Sequence, residues 1–323
     1  MVRVQRGGPS LGKMPHTMTK ILMNTRVIDV EYLGMPQYIA CCLLEGESPA
    51  IIDPGPTVSL GKLEEGLQQV GLSLDDIGSI LLTHIHLDHA GATGTIVKRN
   101  PRIKVYVHAE GVPHMIDPER LLVSVGRLYG EHRMDELFGD FLPVPKENIQ
   151  SLSGGESLGI ADRQLQVAYT PGHAAHHVSF LDTSTGTAFV GDTAGIRIAN
   201  NPLVLPVTPP PDIDLEIWES SLQKIEGWKP ERLFVTHFGQ AEGVEEHLTR
   251  FRENLHQWAT AVRRGIESNA TDEECLAEFT ALVDSGLNER LAANKVALYQ
   301  QGGAPWMSWP GLARYWRKKL KAS

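Results

Sequence analysis

The stretch Thr83-His84-Ile85-His86-Leu87-Asp88-His89-Ala90-Gly91 decides the reading of this chain. Three of its thirteen histidines and an aspartate fall within six residues, directly after the apolar run Ile80-Leu81-Leu82. The run from Ser79 to Leu82 reads as a short buried strand that delivers these polar residues at its end. Neutral imidazole suits zinc and other divalent ions, while a carboxylate adds charge and suits harder ones. Histidines at i and i+2 in an irregular loop can point toward one ion. Asp88 and His89, on the next turn, can serve a neighbouring ion. Each ion then needs further ligands from elsewhere in the chain.

Working outward, the same construction recurs. Tyr38–Leu44 and Ala50–Ile52 predict a hairpin about Glu45-Gly46-Glu47-Ser48, and its second strand runs into Asp53-Pro54-Gly55-Pro56. Leu60, Leu63, Leu67 and Val70 have helical spacing. Lys104–Val107 is a strand, and Leu165–Tyr169 leads into Thr170-Pro171-Gly172-His173. Val178–Leu181 and Thr187–Val190 form a hairpin about Ser184-Thr185-Gly186 and run into Gly191-Asp192. A helix carrying Leu215, Trp218, Leu222 and Ile225 precedes the strand Leu233–Val235, which runs into Thr236-His237. Thus Asp53, His84, His173, Asp192 and His237 each sit one to four residues past the end of a separate strand. In a layered α/β protein such ends converge on one sheet edge, where sites are built. Any one of these residues reads equally well as a loop polar group or a packed histidine. Five together, around an HxHxDH loop, read as a site, with His173, His237 and Asp192 supplying the missing ligands.

At this point the motifs "THIHLDHAG", "TPGHAAHHVSF", "FVGDTAG" and "VTHFG", preceded by "IIDPG", resemble the successive metal motifs of the metallo-β-lactamase superfamily over roughly residues 21–240. The resemblance implies an α/β fold, the four-layer αββα sandwich of two mixed sheets with helices outside. It implies that His84, His86 and His173 hold a first metal, that Asp88, His89 and His237 hold a second, and that Asp192 bridges both. Asp53 matches an acid that braces the HxHxDH loop, a role that makes physical sense because a ligand imidazole usually gives its other N–H to a carboxylate or carbonyl. His177 matches a recurring histidine expected to support the ligands from behind. His176 stands where relatives often have glycine and is expected to be packed or exposed. The implied cofactor is a pair of divalent ions, zinc first, with manganese or iron as alternatives.

The bulk composition narrows the branch. A hydrophobic fraction of 41% fits a packed protein, and a formal charge of −9 argues against a nucleic-acid surface. No apolar run has the length of a membrane span. Cys41, Cys42 and Cys275 include no CxxC pair, so neither a disulfide framework nor a sulfur metal site is expected, and the compartment is read as a reducing cytoplasm. Asp192 and the lack of an export signal separate the chain from true β-lactamases, and His86 separates it from flavodiiron proteins. Lactonases of the family carry a tyrosine where this chain reads Thr193-Ala194-Gly195. The basic tail of Arg314, Arg317, Lys318, Lys319 and Lys321 reads as a solvated helix end rather than a glutathione site. The expected function is a binuclear metal-dependent hydrolase, in which a metal-bridging hydroxide attacks the carbonyl of a small ester, thioester or lactone and Asp88 also moves protons. The alternatives are a mononuclear iron persulfide dioxygenase and a nuclease or phosphodiesterase of the same fold.

Three segments complete the expectation. Residues 1–20 are set aside as a leader, residues 21–240 form the catalytic domain with a helical insertion at 111–148, and residues 241–323 form a C-terminal helical region. Tyr129, Phe138 and Phe141 of the insertion are expected to line a pocket over the metals as a lid, with core packing as the alternative. The stripe Val244, Leu248, Phe251, Leu255, Trp258 and Val262 packs on the core or on a second copy in a homodimer. Thr271-Asp272-Glu273-Glu274 resembles a capping box. Trp306, Trp309 and Trp316 either pin the last helix or reach the site. The expected partner is a small-molecule substrate.

Overall fold

Every residue of the strand Ala40–Leu44 is buried, and the alternation of its side chains explains how. Cys41 and Leu43 enter one apolar cluster, while Ala40, Cys42 and Leu44 enter another. A strand buried on both faces must be covered by helices on one side and by a second sheet on the other. The same split recurs across the molecule, where Ala188, Leu233 and Val235 join the first cluster and Phe180, Phe189 and Phe234 the second.

The computed structural model describes residues 18–22, 24–198, 201–268, 270–302 and 305–322. Among these, one sheet has seven strands in sequence order: β1 (Met18–Leu22), β2 (Thr25–Asp29), β3 (Ala40–Leu44), β4 (Ala50–Ile52), β5 (Ser79–Leu81), β6 (Lys104–His108) and β7 (Ile149–Leu152). The pairs from β1 to β4 are antiparallel and those from β4 to β7 are parallel. The second sheet has six strands: β8 (Ser157–Ile160), β9 (Arg163–Tyr169), β10 (Val178–Asp182), β11 (Thr187–Phe189), β12 (Arg232–Val235) and β13 (Gly239–Ala241), with only β11 and β12 parallel. The smaller apolar cluster fills the space between the sheets. Both predicted hairpins are present with the expected pairing.

Helices α1 (Leu60–Gln68), α2 (Leu87–Ala90) and α3 (Thr93–Arg99) follow the first sheet's strands. The insertion supplies α4 (Val112–Ile116), α5 (Glu119–Tyr129) and α6 (Met134–Leu137), and α7 (Leu215–Gly227) precedes β12. The C-terminal region is α8 (Val244–Glu267), α9 (Asp272–Arg290), α10 (Ala293–Gly302) and α11 (Pro305–Ala322). The expected stripe of α8 is buried against the core, apart from a half-buried Val244. The Thr271–Glu274 capping box opens α9. Trp316 Nε1 donates to Ala259 O at 2.8 Å and ties α11 to α8. No helix among the described residues is long and apolar enough to cross a membrane.

The structure extends the sequence reading in two places. Met18–Leu22 pairs with β2, so the first sheet takes in residues that the expected boundary at 21 had left out; residues 1–17 of the expected leader lie outside the described residues. Strands β1, β2, β7, β8 and β13 were not legible, and all lie at or next to sheet edges. In β7 and β8 only the last residue is buried, so the apolar alternation that reveals a strand is weak there.

At one end the two sheets are stitched together through the backbone. Ala40 N donates to Thr236 O at 2.9 Å, and Val178 N donates to Thr83 O at 2.8 Å. These bonds join the ends of β5 and β12 to the opposite sheet. That end carries the site.

Candidate metal centre

Asp53 organises the loop from below. It follows β4, is fully buried, and has a left-handed backbone with φ 50°. Its Oδ1 accepts from Thr83 N at 2.8 Å. Its Oδ2 accepts from Thr83 Oγ1 at 2.7 Å, from Thr236 Oγ1 at 2.8 Å and from His89 Nδ1 at 2.9 Å. One carboxylate thereby fixes the start of the HxHxDH loop, the end of β12 and one of the imidazoles. Asp192 approaches from the other sheet through Gly191, whose φ is 47°. A Cβ at Gly191 would meet Thr83 Oγ1 at 2.5 Å and His177 Nε2 at 2.7 Å, so only glycine allows this approach.

The seven expected ligands converge. His86 Nδ1 lies 3.0 Å from His84 Nε2 and 3.1 Å from His173 Nε2. His89 Nε2 lies 3.3 Å from Asp192 Oδ1, and His237 Nε2 lies 3.0 Å from Asp88 Oδ2. Asp192 Oδ2 is 3.7 Å from His173 Nε2 and 3.8 Å from His237 Nε2. Three overlapping groups result, His84–His86–His173, His84–His89–Asp192 and Asp88–His89–His237, each with donor atoms within 4.8 Å of one another.

The outward-facing nitrogens explain why lone pairs face inward. His173 Nδ1 donates to Val207 O at 2.8 Å, and His89 Nδ1 donates to Asp53. Thr83 Oγ1 gives its proton to Asp53 and can accept from His84 Nδ1 at 3.1 Å. Each bond places the ring proton on Nδ1 and leaves Nε2 bare, the state a metal ligand requires. Burial pushes His84 well down and His86 to about 3, and neighbouring imidazoles add to the shift at both. Burial opposes protonation of His89 and His237 too, but there the carboxylates outweigh it: Asp192, Asp88 and Asp53 at His89, and Asp192 and Asp88 at His237. Burial likewise works against the charge on Asp88 and Asp192, and His89 and His237 overcome it and hold both carboxyls low. His89 Nε2 and Asp192 Oδ1, both within the cluster, are buried without a hydrogen-bond partner among the described residues. Such orphaned atoms are costly unless something binds them, and imidazole with carboxylate is a donor set for divalent ions. The residues fit the metal that the sequence motifs imply.

His177 is fully buried behind Asp192, with Nδ1 3.0 Å from both Thr170 Oγ1 and Thr193 Oγ1. His176 does more than pack. Its Nδ1 accepts from Ile85 N at 3.3 Å, so it holds the HxHxDH backbone from the opposite sheet.

A cavity of about 520 Å³ opens over the ligands, with His86, Asp88, Asp192 and His237 among its lining residues. Tyr129 and Phe138 are among its lining residues. Phe141 is not; both phenylalanines are buried in the same apolar cluster, and only Phe138 also reaches the cavity. Gly139, at φ 69°, turns the chain between them, and Val58 N and Thr57 Oγ1 bind the carbonyls of Phe138 and Asp140. Among the wall residues not singled out from the sequence are Tyr32, Tyr38, Arg120 and Arg133. Of the three C-terminal tryptophans only Trp306 reaches the cavity, together with Met307. Tyr129 OH donates to Met307 Sδ at 2.8 Å, and its ring stands edge-on to Trp306 at 5.4 Å. The insertion and α11 thus form one wall.

Comparison with known proteins fits this geometry. The chain is 29% identical over 188 residues to the metallo-beta-lactamase fold-containing protein ST1585 of Sulfurisphaera tokodaii, covering 54% of this chain and 66% of that protein. The structure of ST1585 superposes with a TM-score of 0.63 at 21% identity over 90% of this chain and 98% of that chain. A metallo-beta-lactamase family protein of Thermus thermophilus, TTHA1429, superposes with a TM-score of 0.67 at 21% identity, covering 93% and 95% of the two chains. A hydroxyacylglutathione hydrolase of Buchnera aphidicola is 27% identical over 156 residues, 48% of this chain and 46% of that one. The chain therefore spans about two thirds or less of the length of these curated relatives. The family model of the metallo-beta-lactamase superfamily matches residues 36–237, from ahead of β3 to the last expected ligand. With that match, the αββα sandwich and the ligand cluster at its edge, the chain belongs to the metallo-beta-lactamase superfamily.

Proposed function

We propose that the protein is a binuclear metal-dependent hydrolase of small esters, thioesters or lactones. The observation that carries this reading is the convergence of seven donor atoms beneath a largely apolar cavity. Two divalent ions bound there supply Lewis acidity to a carbonyl oxygen and a nucleophile from water near neutral pH. His84, His86 and His173 would hold one ion, Asp88, His89 and His237 the other, with Asp192 between them. The side chain of Asp88 is 27% exposed, against 5% or less for Asp192, His89 and His237. It is therefore the carboxylate able to take a proton from the attacking water and pass it to the leaving group. Tyr38 is buried beside His237, with ring centroids 5.7 Å apart, and lines the cavity. Burial pushes its phenol well up, so it stays protonated and can donate to the substrate's carbonyl oxygen.

Elemental analysis after metal loading, with a screen of thioesters, lactones and simple esters, tests the proposal. Close to two ions per chain and hydrolysis of at least one class are expected, with Asp192→Ala lowering the metal content. A stoichiometry that stays at one, with oxygen uptake on glutathione persulfide and no hydrolysis, would replace the hydrolase reading with the dioxygenase.

A further inference from the structure

The insertion side of the cavity carries two arginines, Arg120 in the first turn of α5 and Arg133 immediately before α6. Some arginines elsewhere meet acids, as Arg99 does Glu64, Arg163 Asp182 and Arg252 Glu226, and others do not; what distinguishes Arg120 and Arg133 is their place on the wall of an apolar cavity. Arg120 and Arg133 both line the cavity, and neither forms an ion pair among the described residues. The other charged residues on the cavity are the ligands Asp88 and Asp192, and Asp212, whose Oδ2 accepts from Ala175 N at 3.3 Å. Leu121, Val125, Leu128 and Phe138 line the cavity beside the two arginines. A concave apolar wall with two unpaired guanidinium groups presents two kinds of complementarity at once. The hydrocarbon surface favours an alkyl or aryl group, and the arginines favour an anion with several acceptor oxygens. An exposed arginine gains little from one surface partner, but two on the wall of one cavity both add positive potential to it.

We infer that the substrate is amphiphilic: an ester or thioester whose apolar acyl group lies against Leu121, Val125, Leu128 and Phe138, and whose leaving group carries a carboxylate or phosphate held by Arg120 and Arg133. The scissile bond in this statement rests on the hydrolase reading above, whereas the anion site stands on the cavity wall alone. For a thioester, water adds across the acyl–sulfur bond. A carbon–oxygen bond forms, the carbon–sulfur bond breaks, and the two protons of water end on the product acid and the released thiol.

The test uses octanoyl thioesters of three thiols: neutral N-acetylcysteamine, 3-mercaptopropionate with its carboxylate, and coenzyme A with its phosphates. The matching S-octyl thioethers, which cannot be hydrolysed, are titrated calorimetrically into the metal-loaded protein. At least one anionic thioether should bind roughly tenfold or more tightly than the neutral one, and which one does so identifies carboxylate or phosphate as the recognised group. The double variant Arg120→Gln/Arg133→Gln should bring that ratio toward one. Equal binding of all three thioethers, no binding of any, or an undiminished preference in the double variant overturns the inference. Preserved anion preference with no hydrolysis of these thioesters, nor of the simple esters and lactones of the screen above, leaves the anion site standing and sinks the hydrolase reading instead.

Discussion

Replacing Asp53 by asparagine separates the bracing of the metal loop from its folding. The carboxamide keeps an oxygen for Thr83 N, and asparagine tolerates the left-handed backbone at φ 50°. The other oxygen becomes an NH₂ facing three former donors, Thr83 Oγ1, Thr236 Oγ1 and His89 Nδ1. The two hydroxyls can rotate and accept; the ring N–H of His89 cannot. Either that N–H is stranded in the interior, costing about 1–3 kcal/mol, or the proton moves to Nε2 and removes a metal ligand. Both routes weaken metal binding, and loss of such an outer partner typically costs about 10–100-fold in affinity. Asp53→Ala is harsher. It strands Thr83 N and His89 N–H together, about 2–6 kcal/mol, and leaves alanine in a left-handed conformation for about 1–2 kcal/mol more. That is a large part of the roughly 5–15 kcal/mol that holds a domain folded. Chelator competition gives the metal affinity and thermal melting gives the stability. An asparagine variant that binds metal within threefold of the parent, or an alanine variant that melts within a few degrees of it, would refute this account.

Tyr38→Phe should lower kcat about tenfold at unchanged metal content, since it removes a carbonyl-facing donor and no ligand; a shift in metal content instead would assign Tyr38 to packing against His237. Phe138→Ala should reorder kcat/KM across acyl sizes, whereas Phe141→Ala should cost about 3–5 kcal/mol of stability and leave that order alone; the reverse pattern would misplace the cavity wall. His247 Nε2 donates to Ala194 O at 2.8 Å, and burial lowers its pKa to about 4 from an ordinary 6.5. The unfolded chain therefore takes up this proton below about pH 6.5 while the folded one waits until about pH 4, so stability is full above that window and is lost as pH falls through it. Between pH 7.5 and pH 5 this group alone should remove about 2 kcal/mol, and His247→Gln, which keeps a donor, should lose correspondingly less in urea titrations at the two pH values.

The parts legible in the sequence were those written locally. His84, His86, Asp88 and His89 lie in one loop, and His173, Asp192 and His237 each follow a strand whose apolar residues announce it. The C-terminal stripe of α8 has a 3.6-residue period and could be read the same way. Other features depend on meetings that no spacing encodes. His176 looks like a spare histidine until Ile85 N is seen to bind it. Tyr38 heads a predicted strand, and its place beside His237 arises only when β3 bonds to the end of β12. Phe138 and Phe141 are alike in sequence and both are buried in the core, and across the turn at Gly139 only Phe138 also reaches the cavity. Nothing in the sequence marks Arg120 and Arg133, because their place on the cavity wall is a property of the folded chain.

The Tyr129–Met307 contact makes the cavity wall a joint inheritance of two distant stretches of chain. The floor of metal ligands lies within the segment shared across the superfamily, whereas α11 lies beyond it. A lineage can therefore keep its metal floor while its wall drifts, but the insertion and α11 must drift together, because a side chain changed on one loses its counterpart on the other. Grafting the insertion alone onto a relative would transplant half a wall. A chimera meant to carry this protein's substrate range has to take residues 111–148 and the segment around Trp306 and Met307 as a pair.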